Sequence, residues 1–423
     1  MITSKSVALH TLGCKLNYSE TSTIARLLEK DGFVQKDFDE VADVYIINTC
    51  SVTDNADKEC RQLVRRIAKK APDANVVITG CYAQLKPLEL SQIQGVDLVL
   101  GAAEKFNITA HLKEITKGGK AAVFSCDIDD VKTFHSSFSV NDRTRSFLKV
   151  QDGCNYNCSF CTIPLARGAS RSDSFQNILE SVKALENAGV KEIVLTGINL
   201  GDYAYKAGNQ NSTLKFIDLV RFLEENTSIE RYRISSIEPN LLTDEIIEFV
   251  ASSKRFMPHF HIPLQSGSDK ILGLMQRRYR TALYQQRIDV IKKLMPHCAI
   301  GVDVIVGFPA ESNVEFNETF KFLENNDISY LHVFTYSERN DTKALTINPV
   351  VPLHVRHERN KILRNLSYKK QIEFANKHIG DTRNVLFEKR NKNGTIEGFT
   401  DNYITVTAAF DDKLVNTISK WKI

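Results

Sequence analysis

The sequence lacks the features that would place it in a membrane or mark it for export. No apolar run reaches the roughly 18 residues that a transmembrane helix needs, and residues 1–10 contain no apolar core of a signal peptide. A net charge of +4 is too small to indicate a nucleic-acid partner by itself. With 423 residues, 42% hydrophobic and 25% charged, the composition is that of a folded protein. We therefore expect a cytoplasmic globular protein of two or three domains.

Cysteine, by contrast, is plentiful, and nine cysteines in a cytoplasmic chain indicate metal ligation more than disulfides. Cys154, Cys158 and Cys161 form a C-x3-C-x2-C array after a predicted strand. Three thiolates can hold three irons of a 4Fe-4S cluster and leave the fourth iron without a protein ligand. A structural zinc site is the alternative, but such sites usually close with a fourth Cys or His, and none follows Cys161 nearby.

Cys14, Cys50 and Cys81 share a local pattern, although they are far apart in the sequence. Each follows a short apolar run, at 7–12, 44–48 or 76–79, and each precedes helix-like sequence. The carboxyl ends of parallel strands meet at one edge of an open α/β sheet, so these three loops are expected to converge on a second three-thiolate site. Ordinary burial of cysteine at strand ends is the alternative.

The middle of the chain alternates apolar and helix-like segments. The six predicted strands lie at 147–150, 192–196, 232–237, 259–264, 299–306 and 330–334. Six β/α units favour a partial barrel with its chemistry at the carboxyl ends of the strands.

The words Thr-Leu-Gly-Cys-Lys-Leu-Asn at 11–17, Asn-Thr-Cys-Ser-Val-Thr at 48–53 and Gly-Cys-Tyr-Ala-Gln at 80–84, combined with the array, resemble the methylthiotransferases among the radical S-adenosylmethionine (SAM) enzymes. The resemblance implies two 4Fe-4S clusters. One, on Cys154, Cys158 and Cys161, would bind SAM and reduce it to a 5'-deoxyadenosyl radical. The auxiliary cluster, on Cys14, Cys50 and Cys81, would present a sulfur species that a second SAM methylates. A flavodoxin-type or ferredoxin-type electron donor and a sulfur donor are implied as well.

Cys60, Cys126 and Cys298 match no ligand of that family, and we interpret them as structural or incidental thiols. Several polar positions are predicted to contact SAM: Gly197, Ser235, Gln265, Asp303 and Arg171. Gly197 would allow close approach of the backbone, and Arg171, like its neighbour Arg167, would hold a carboxylate or phosphate. Ser and Gln at strand ends can equally be satisfied turn residues.

Beyond residue 383, short strand-like runs with turns at 393–394 and 401–402 predict a small antiparallel β-barrel. It resembles the TRAM domain, an RNA-binding module, and its basic residues, namely Arg383, Lys389, Arg390 and Lys392, are candidates for phosphate contacts. Basic segments at 60–70 and 276–280 are further candidates. We expect deletion from Gly380 onward to weaken tRNA binding while sparing iron content and SAM cleavage.

The predicted fold class is therefore α/β, in three domains. These are an open parallel α/β sheet (1–115), then after a linker (116–140) a partial (β/α)6 radical SAM barrel (141–370), and a TRAM-like barrel (371–423).

The segment Arg-Ile-Ser-Ser-Ile-Glu-Pro at 233–239 resembles the branch of the family that acts on N6-threonylcarbamoyladenosine 37 of tRNA. That substituent carries a carboxylate, so its pocket is expected to contain a cation, from Arg167, Arg171 or Arg233. The alternatives are isopentenyladenosine, an aspartate of a ribosomal protein, or a nonenzymatic iron-sulfur protein that binds RNA.

Overall fold

The computed structural model describes residues 5–50, 54–115, 117–140, 144–206, 212–391 and 393–423. Residues 51–53 of the second cysteine word, and Lys392, lie outside this part, as does the side chain of Lys389. The chain forms two compact units, the first built from 1–139, 147–156 and 161–173, and the second from 140–146, 157–160 and 174–423.

The first unit is centred on a six-stranded parallel sheet with the strand order β2-β1-β3-β4-β5-β6. Its strands are β1 (Ser6–Thr11), β2 (Val34–Lys36), β3 (Val44–Thr49), β4 (Asn75–Gly80), β5 (Leu98–Leu100) and β6 (Ala122–Phe124). Its helices are α1 (Lys15–Lys30), α2 (Asp54–Lys70), α3 (Cys81–Leu85), α4 (Pro87–Ser91), α5 (Ile108–Glu114) and, after the cysteine array, α6 (Ile163–Arg167).

Alternate residues of the central strands enter two different cores. In β3, Tyr45 and Ile47 pack on one face, with Val64 of α2, whereas Val44 and Ile46 pack on the other, with α1 and α5. Because side chains alternate along a strand, a continuously apolar run such as this one is buried on both faces. The parallel α/β sheet predicted from the sequence is confirmed.

The sheet extends further than the sequence indicated. β6 lies in the stretch 116–140 that was predicted as a linker, and Leu98 of β5 pairs with Ala122. A three-residue strand gives too short a pattern to be recognised. The unit also contains β7 (Ser137–Phe138), the end of β8 (Arg145–Lys149), β9 (Gln151–Asp152) and β10 (Arg171–Ser172).

The second unit contains the remaining β/α repeats. Its parallel strands are β11 (Glu192–Thr196), β14 (Arg231–Ile234), β15 (His259–His261), β16 (Ala299–Val306) and β17 (Tyr330–Thr335), with a short hairpin of β12 (Ala204–Tyr205) and β13 (Leu214–Lys215) between the first two. Its helices are α7 (Phe175–Asn187), α8 (Phe216–Asn226), α9 (Asp244–Ser252), α10 (Asp269–Leu274), α11 (Thr281–Leu294), α12 (Asn313–Asn325) and α13 (Leu353–Asn376).

The C-terminal strands form a four-stranded antiparallel sheet, ordered β20-β19-β18-β21. They are β18 (Thr382–Arg390), β19 (Thr395–Thr400), β20 (Thr405–Ala409) and β21 (Ile418–Lys422). The domain boundary predicted at 371 falls inside α13, which continues to Asn376. None of the described helices combines the length and the apolar character needed to cross a membrane.

Candidate active site

Three cysteines lie at the carboxyl edge of the first unit's sheet. Cys14 precedes α1 directly, Cys50 follows β3, and Cys81 is the first residue of α3. β1, β3 and β4, which lead into these loops, are adjacent in the sheet, so the three loops leave the same edge side by side. The structure therefore brings the three predicted cysteine loops to one edge of the sheet, and three thiolates can hold three irons of a 4Fe-4S cluster.

Two glycines allow the loops to approach closely. Gly13 and Gly80 both have φ +96°, a conformation that residues with a Cβ rarely adopt. A Cβ on Gly13 would lie 2.5 Å from the Cβ of Cys50 and 2.8 Å from its Sγ, and one on Gly80 would lie 2.4 Å from the carbonyl oxygen of Thr49. Neither position has room for a side chain.

Buried amide side chains hold the same loops together. Asn17 Nδ2 donates to the carbonyl oxygens of Leu12 and Thr49, at 2.9 Å in each case. Asn48 Nδ2 in turn donates to the carbonyl of Asn17 at 3.0 Å. The residues before Cys14 and Cys50 are thus tied to one side chain of α1.

The radical array begins on a tight turn in the first unit. A Cβ on Gly153, which has φ +74°, would lie 2.1 Å from the carbonyl oxygen of Ala169. The backbone N–H of Cys154 donates to the carbonyl of Gly168 at 3.0 Å, and that of Tyr156 donates to Cys154 Sγ at 3.4 Å. Cys161 follows in the same unit, two residues before α6.

Cys158 belongs to the second unit and is buried beside Arg277, whose Nη1 donates to its Sγ at 3.1 Å. The same guanidinium pairs with Glu238, and only 4% of the Arg277 side chain is exposed. Burial raises the pKa of the Cys158 thiol, and Arg277 opposes that rise by favouring the thiolate. The sequence had placed Arg277 in a basic segment for RNA, which is wrong for this residue because it faces inward; no spacing rule distinguishes it from exposed Arg278.

Four of the predicted SAM contacts lie in or after parallel strands of the second unit. Gly197 follows β11, Ser235 follows β14, Gln265 lies after β15, and Asp303 lies in β16. The backbone N–H of Ser235 donates to the carbonyl of Leu195 at 3.2 Å, and that of Gln265 donates to the carbonyl of Asp303 at 2.8 Å. Arg171, the fifth predicted contact, lies in β10 of the first unit.

Asp303 already has two protein partners, which sequence reasoning missed. His261 Nε2 and His332 Nδ1 lie 2.8 and 3.4 Å from Asp303 Oδ1. Burial would raise the pKa of Asp303, but the two histidines outweigh it and hold the pKa below its usual range.

Known proteins resemble the chain along nearly its whole length. Residues 6–101 match the uncharacterized protein family UPF0004, and residues 148–323 match the radical SAM superfamily. The chain is 37% identical to the threonylcarbamoyladenosine tRNA methylthiotransferase MtaB of Bacillus subtilis, over 99% of this chain and 93% of that protein. It is 38% identical to the MtaB of Aquifex aeolicus, over 95% of this chain and 96% of that protein. The chain belongs to the radical SAM methylthiotransferase family.

A more distant relative is the tRNA-2-methylthio-N(6)-dimethylallyladenosine synthase of Protochlamydia amoebophila, 30% identical over 99% of this chain and 94% of that protein. Among solved structures, the radical SAM methyltransferase TsrM of Kitasatospora setae, with cobalamin and a 4Fe-4S cluster bound, aligns with a TM-score of 0.56 at 14% identity, covering 79% of this chain and 75% of that one. This likeness confirms the fold. The cofactors of this methylthiotransferase are SAM and two 4Fe-4S clusters.

Five charged side chains of the methylthiotransferase form a buried network beside the auxiliary cysteines. Glu20 is completely buried, and its carboxylate pairs with Lys105 at 2.7 Å, Lys149 at 3.0 Å and Arg167 at 3.1 Å. Arg167 Nη1 also lies 2.9 Å from Asp152 Oδ1. Burial would raise the pKa of Glu20, but the three cations hold it well below its usual range. Lys105, Lys149 and Glu20 were not predicted as site residues.

Arg167 links this network to the cysteine loops. Its Nη2 donates to Asn17 Oδ1, the side chain that holds the first two loops. Arg167 and Cys81 line the same small pocket. Burial raises the pKa of the Cys81 thiol, and Arg167 acts against that rise, which favours the thiolate, the form in which cysteine binds metals.

Arg233, one of the three arginines predicted to meet the substrate carboxylate, is fully committed elsewhere. Its Nε donates to Glu192 at 2.8 Å, and its two amino groups donate to the carbonyls of Asp401 and Thr400 at 2.9 and 2.7 Å. That assignment is therefore wrong for Arg233. Arg383, expected to contact phosphates, similarly pairs with Asp401 and has a 10% exposed side chain, whereas Arg390 is exposed.

Proposed function

We propose that this methylthiotransferase inserts a methylthio group at carbon 2 of N6-threonylcarbamoyladenosine 37 in tRNA. The proposal rests on the presence of two three-cysteine sets in one chain. That chain is 37% and 38% identical, over nearly its full length, to relatives named for this reaction. The 30% identical dimethylallyladenosine relative makes the isopentenyl substrate the second candidate.

The two cofactors divide the chemistry. An aromatic carbon–hydrogen bond is neither acidic nor polarised, so protein acid–base groups alone cannot activate it, and radical SAM chemistry supplies the reactivity when the cofactors are bound. The protein's own residues would hold the radical cluster, hold the auxiliary cluster and contact SAM. Cys154, Cys158 and Cys161 are the proposed ligands of the radical cluster, and Arg277 supports the thiolate form of Cys158.

The loops of Cys14, Cys50 and Cys81 would hold the auxiliary cluster, in a frame fixed by Gly13, Gly80 and Asn17. Gly197, Ser235, Gln265 and Asp303 remain the proposed SAM contacts. An electron donor of the flavodoxin or ferredoxin type and a separate sulfur donor complete the reaction, which we place in the cytoplasm, where tRNA is modified.

The C-terminal sheet is the proposed RNA-binding surface. Its antiparallel topology fits the TRAM-like interpretation, and Arg390 offers an exposed cation for phosphate. Exposed Arg278 on the second unit is a further candidate.

The substrate is tested by expressing the chain in a bacterial strain that lacks its own methylthiotransferases, followed by mass analysis of tRNA nucleosides. We expect the methylthio derivative of threonylcarbamoyladenosine. In a strain that cannot make threonylcarbamoyladenosine the product should disappear, and in a strain that lacks the isopentenyl group it should persist. Methylthio-isopentenyladenosine as the main product would contradict the proposal.

A further inference from the structure

The pocket that contains Cys81 in the first unit has an excess of positive charge. Lys105, Lys149, Arg167 and Arg171 line it, with Asp152 as the carboxylate among its lining residues. Glu20, behind the lining, pairs with the first three of these cations. Four cations therefore face two carboxylates and, when Cys81 is deprotonated, one thiolate, in a region where unpaired charge is costly.

Arg171 is the cation that the network leaves over. Its Nη1 donates only to backbone, to the carbonyls of Val131 at 3.2 Å and Ala169 at 3.1 Å. Its Nε is buried and has no hydrogen-bond partner, and no carboxylate in the described ranges forms an ion pair with it. A buried donor without an acceptor is costly in a folded protein, and a guanidinium that pairs with no carboxylate favours an anion from outside the chain.

The position of the pocket restricts what that anion can be. Cys81, a proposed ligand of the auxiliary cluster, lines the same pocket, so the anion is part of a molecule that approaches the sulfur-transfer centre. If the proposed function holds, that molecule is the modified adenosine, and its one anionic group beyond the phosphates is the carboxylate of the threonylcarbamoyl substituent.

We infer that Arg171 binds this carboxylate and is the residue that makes the enzyme specific for threonylcarbamoyladenosine. Lys149 and Arg167 contribute positive charge but already pair with Glu20 and Asp152, whereas no carboxylate in the described ranges pairs with Arg171. Thr133 and His135 also line the pocket and add polar groups near the bound carboxylate. An isopentenyl group would leave the half-buried Arg171 without an anionic partner, which disfavours it.

Binding of anticodon stem-loops to the reconstituted, cluster-loaded protein tests this inference without turnover. The loops carry threonylcarbamoyladenosine, its threonyl methyl ester, or unmodified adenosine at position 37. The parent should bind the first loop about ten-fold more tightly than the other two, the preference expected of one charge-assisted hydrogen bond. In Arg171→Gln the three affinities should converge on that of unmodified adenosine, and Arg171→Lys, which keeps the charge, should restore most of the preference.

Arg221→Gln is the matched control, since Arg221 is half-exposed on α8 and pairs with Glu245. It should bind all three loops like the parent. Iron content and the circular dichroism spectrum of Arg171→Gln should equal those of the parent, which excludes misfolding. If Arg171→Gln keeps the parent's preference, the assignment of Arg171 is overturned while the substrate stands. If the parent itself shows no preference for threonylcarbamoyladenosine, both the assignment and the proposed substrate fall.

Discussion

Arg277 contacts the sulfur of Cys158, a proposed ligand of the radical cluster, and can therefore influence the reduction potential of that cluster. It is buried between the Cys158 sulfur and the Glu238 carboxylate, so its charge is only partly balanced by the latter. Hydrogen bonds to ligating sulfurs stabilise the electron-rich, reduced form of a cluster, and they are among the factors that set its reduction potential. If Cys158 ligates the radical cluster as proposed, Arg277 would favour the reduced form of that cluster, which is the state needed to cleave SAM.

Replacing Arg277 by Gln should make the reduction potential of the radical cluster more negative and slow reductive SAM cleavage. The measurement is a redox titration followed by electron paramagnetic resonance, in a background where Cys14, Cys50 and Cys81 are Ala so that one cluster remains. Arg278→Gln, one position along and exposed, is the control and should leave the potential unchanged. Equal potentials for the two variants would show that Arg277 has only a structural role.

Residue types and spacing were enough to identify the six candidate cysteine ligands. Their surroundings could not be predicted, because the contacts join positions far apart in the sequence. Arg277 meets Cys158 across 119 positions, and Lys149 meets Glu20 across 129. Single-sequence patterns report the periodicity of one element, whereas these contacts depend on how several elements pack.

Among the elements, the helix α13 could not be recognised from the sequence pattern. Its buried side includes Arg356, Arg359 and Lys370 as well as Leu363 and Phe374. Arg359 pairs with Glu311 at 2.9 Å, and Lys370 donates to two backbone carbonyls. Buried cations of this kind break the apolar stripe by which an amphipathic helix is recognised. The barrel strands were easier to predict, and 192–196 and 299–306 match β11 and β16 at both ends.

The C-terminal sheet is bonded to the β/α repeats of the second unit by buried arginines. Besides Arg233, Arg231 donates to the carbonyls of Asn384 and Phe399 at 2.7 and 3.2 Å. Arg145 Nε lies 2.8 Å from Glu388 Oε1. The sheet is therefore a structural part of its unit. The expectation that its deletion spares the iron content needs revision.

Deletion from Gly380 onward should lower the thermal unfolding midpoint and the iron content, as well as tRNA affinity. The deletion removes Glu388 from Arg145 and the carbonyl acceptors in 384–401 from Arg231 and Arg233, and removing the partner of a buried charge costs about 3–5 kcal/mol. Circular dichroism during heating and an iron assay measure the effect. Arg390→Gln, an exposed change in the same sheet, should keep the stability and weaken only salt-sensitive RNA binding. An unchanged midpoint in the truncated chain would contradict this account.

On the scale of the whole molecule, the cysteines divide the chemistry between two sets. Anaerobic reconstitution should give about eight irons per chain, as two 4Fe-4S clusters require. Replacing Cys154, Cys158 and Cys161 by Ala should halve the iron and abolish SAM cleavage. Replacing Cys14, Cys50 and Cys81 should also halve the iron, but it should spare reductive SAM cleavage and stop methylthiolation. Iron and spectra unchanged by the second triple replacement would eliminate the auxiliary cluster.

The lack of space at Gly13 and Gly80 restricts the mutations that their codons can tolerate. Every missense change of a glycine codon by one nucleotide introduces a side chain, and at these two positions even a methyl group would overlap Cys50 or the backbone at Thr49. Both also have φ +96°, which side chains disfavour. These codons therefore tolerate silent changes only, and a library of random mutants selected for tRNA methylthiolation should retain them as strictly as the cysteine codons, although neither residue has a functional group.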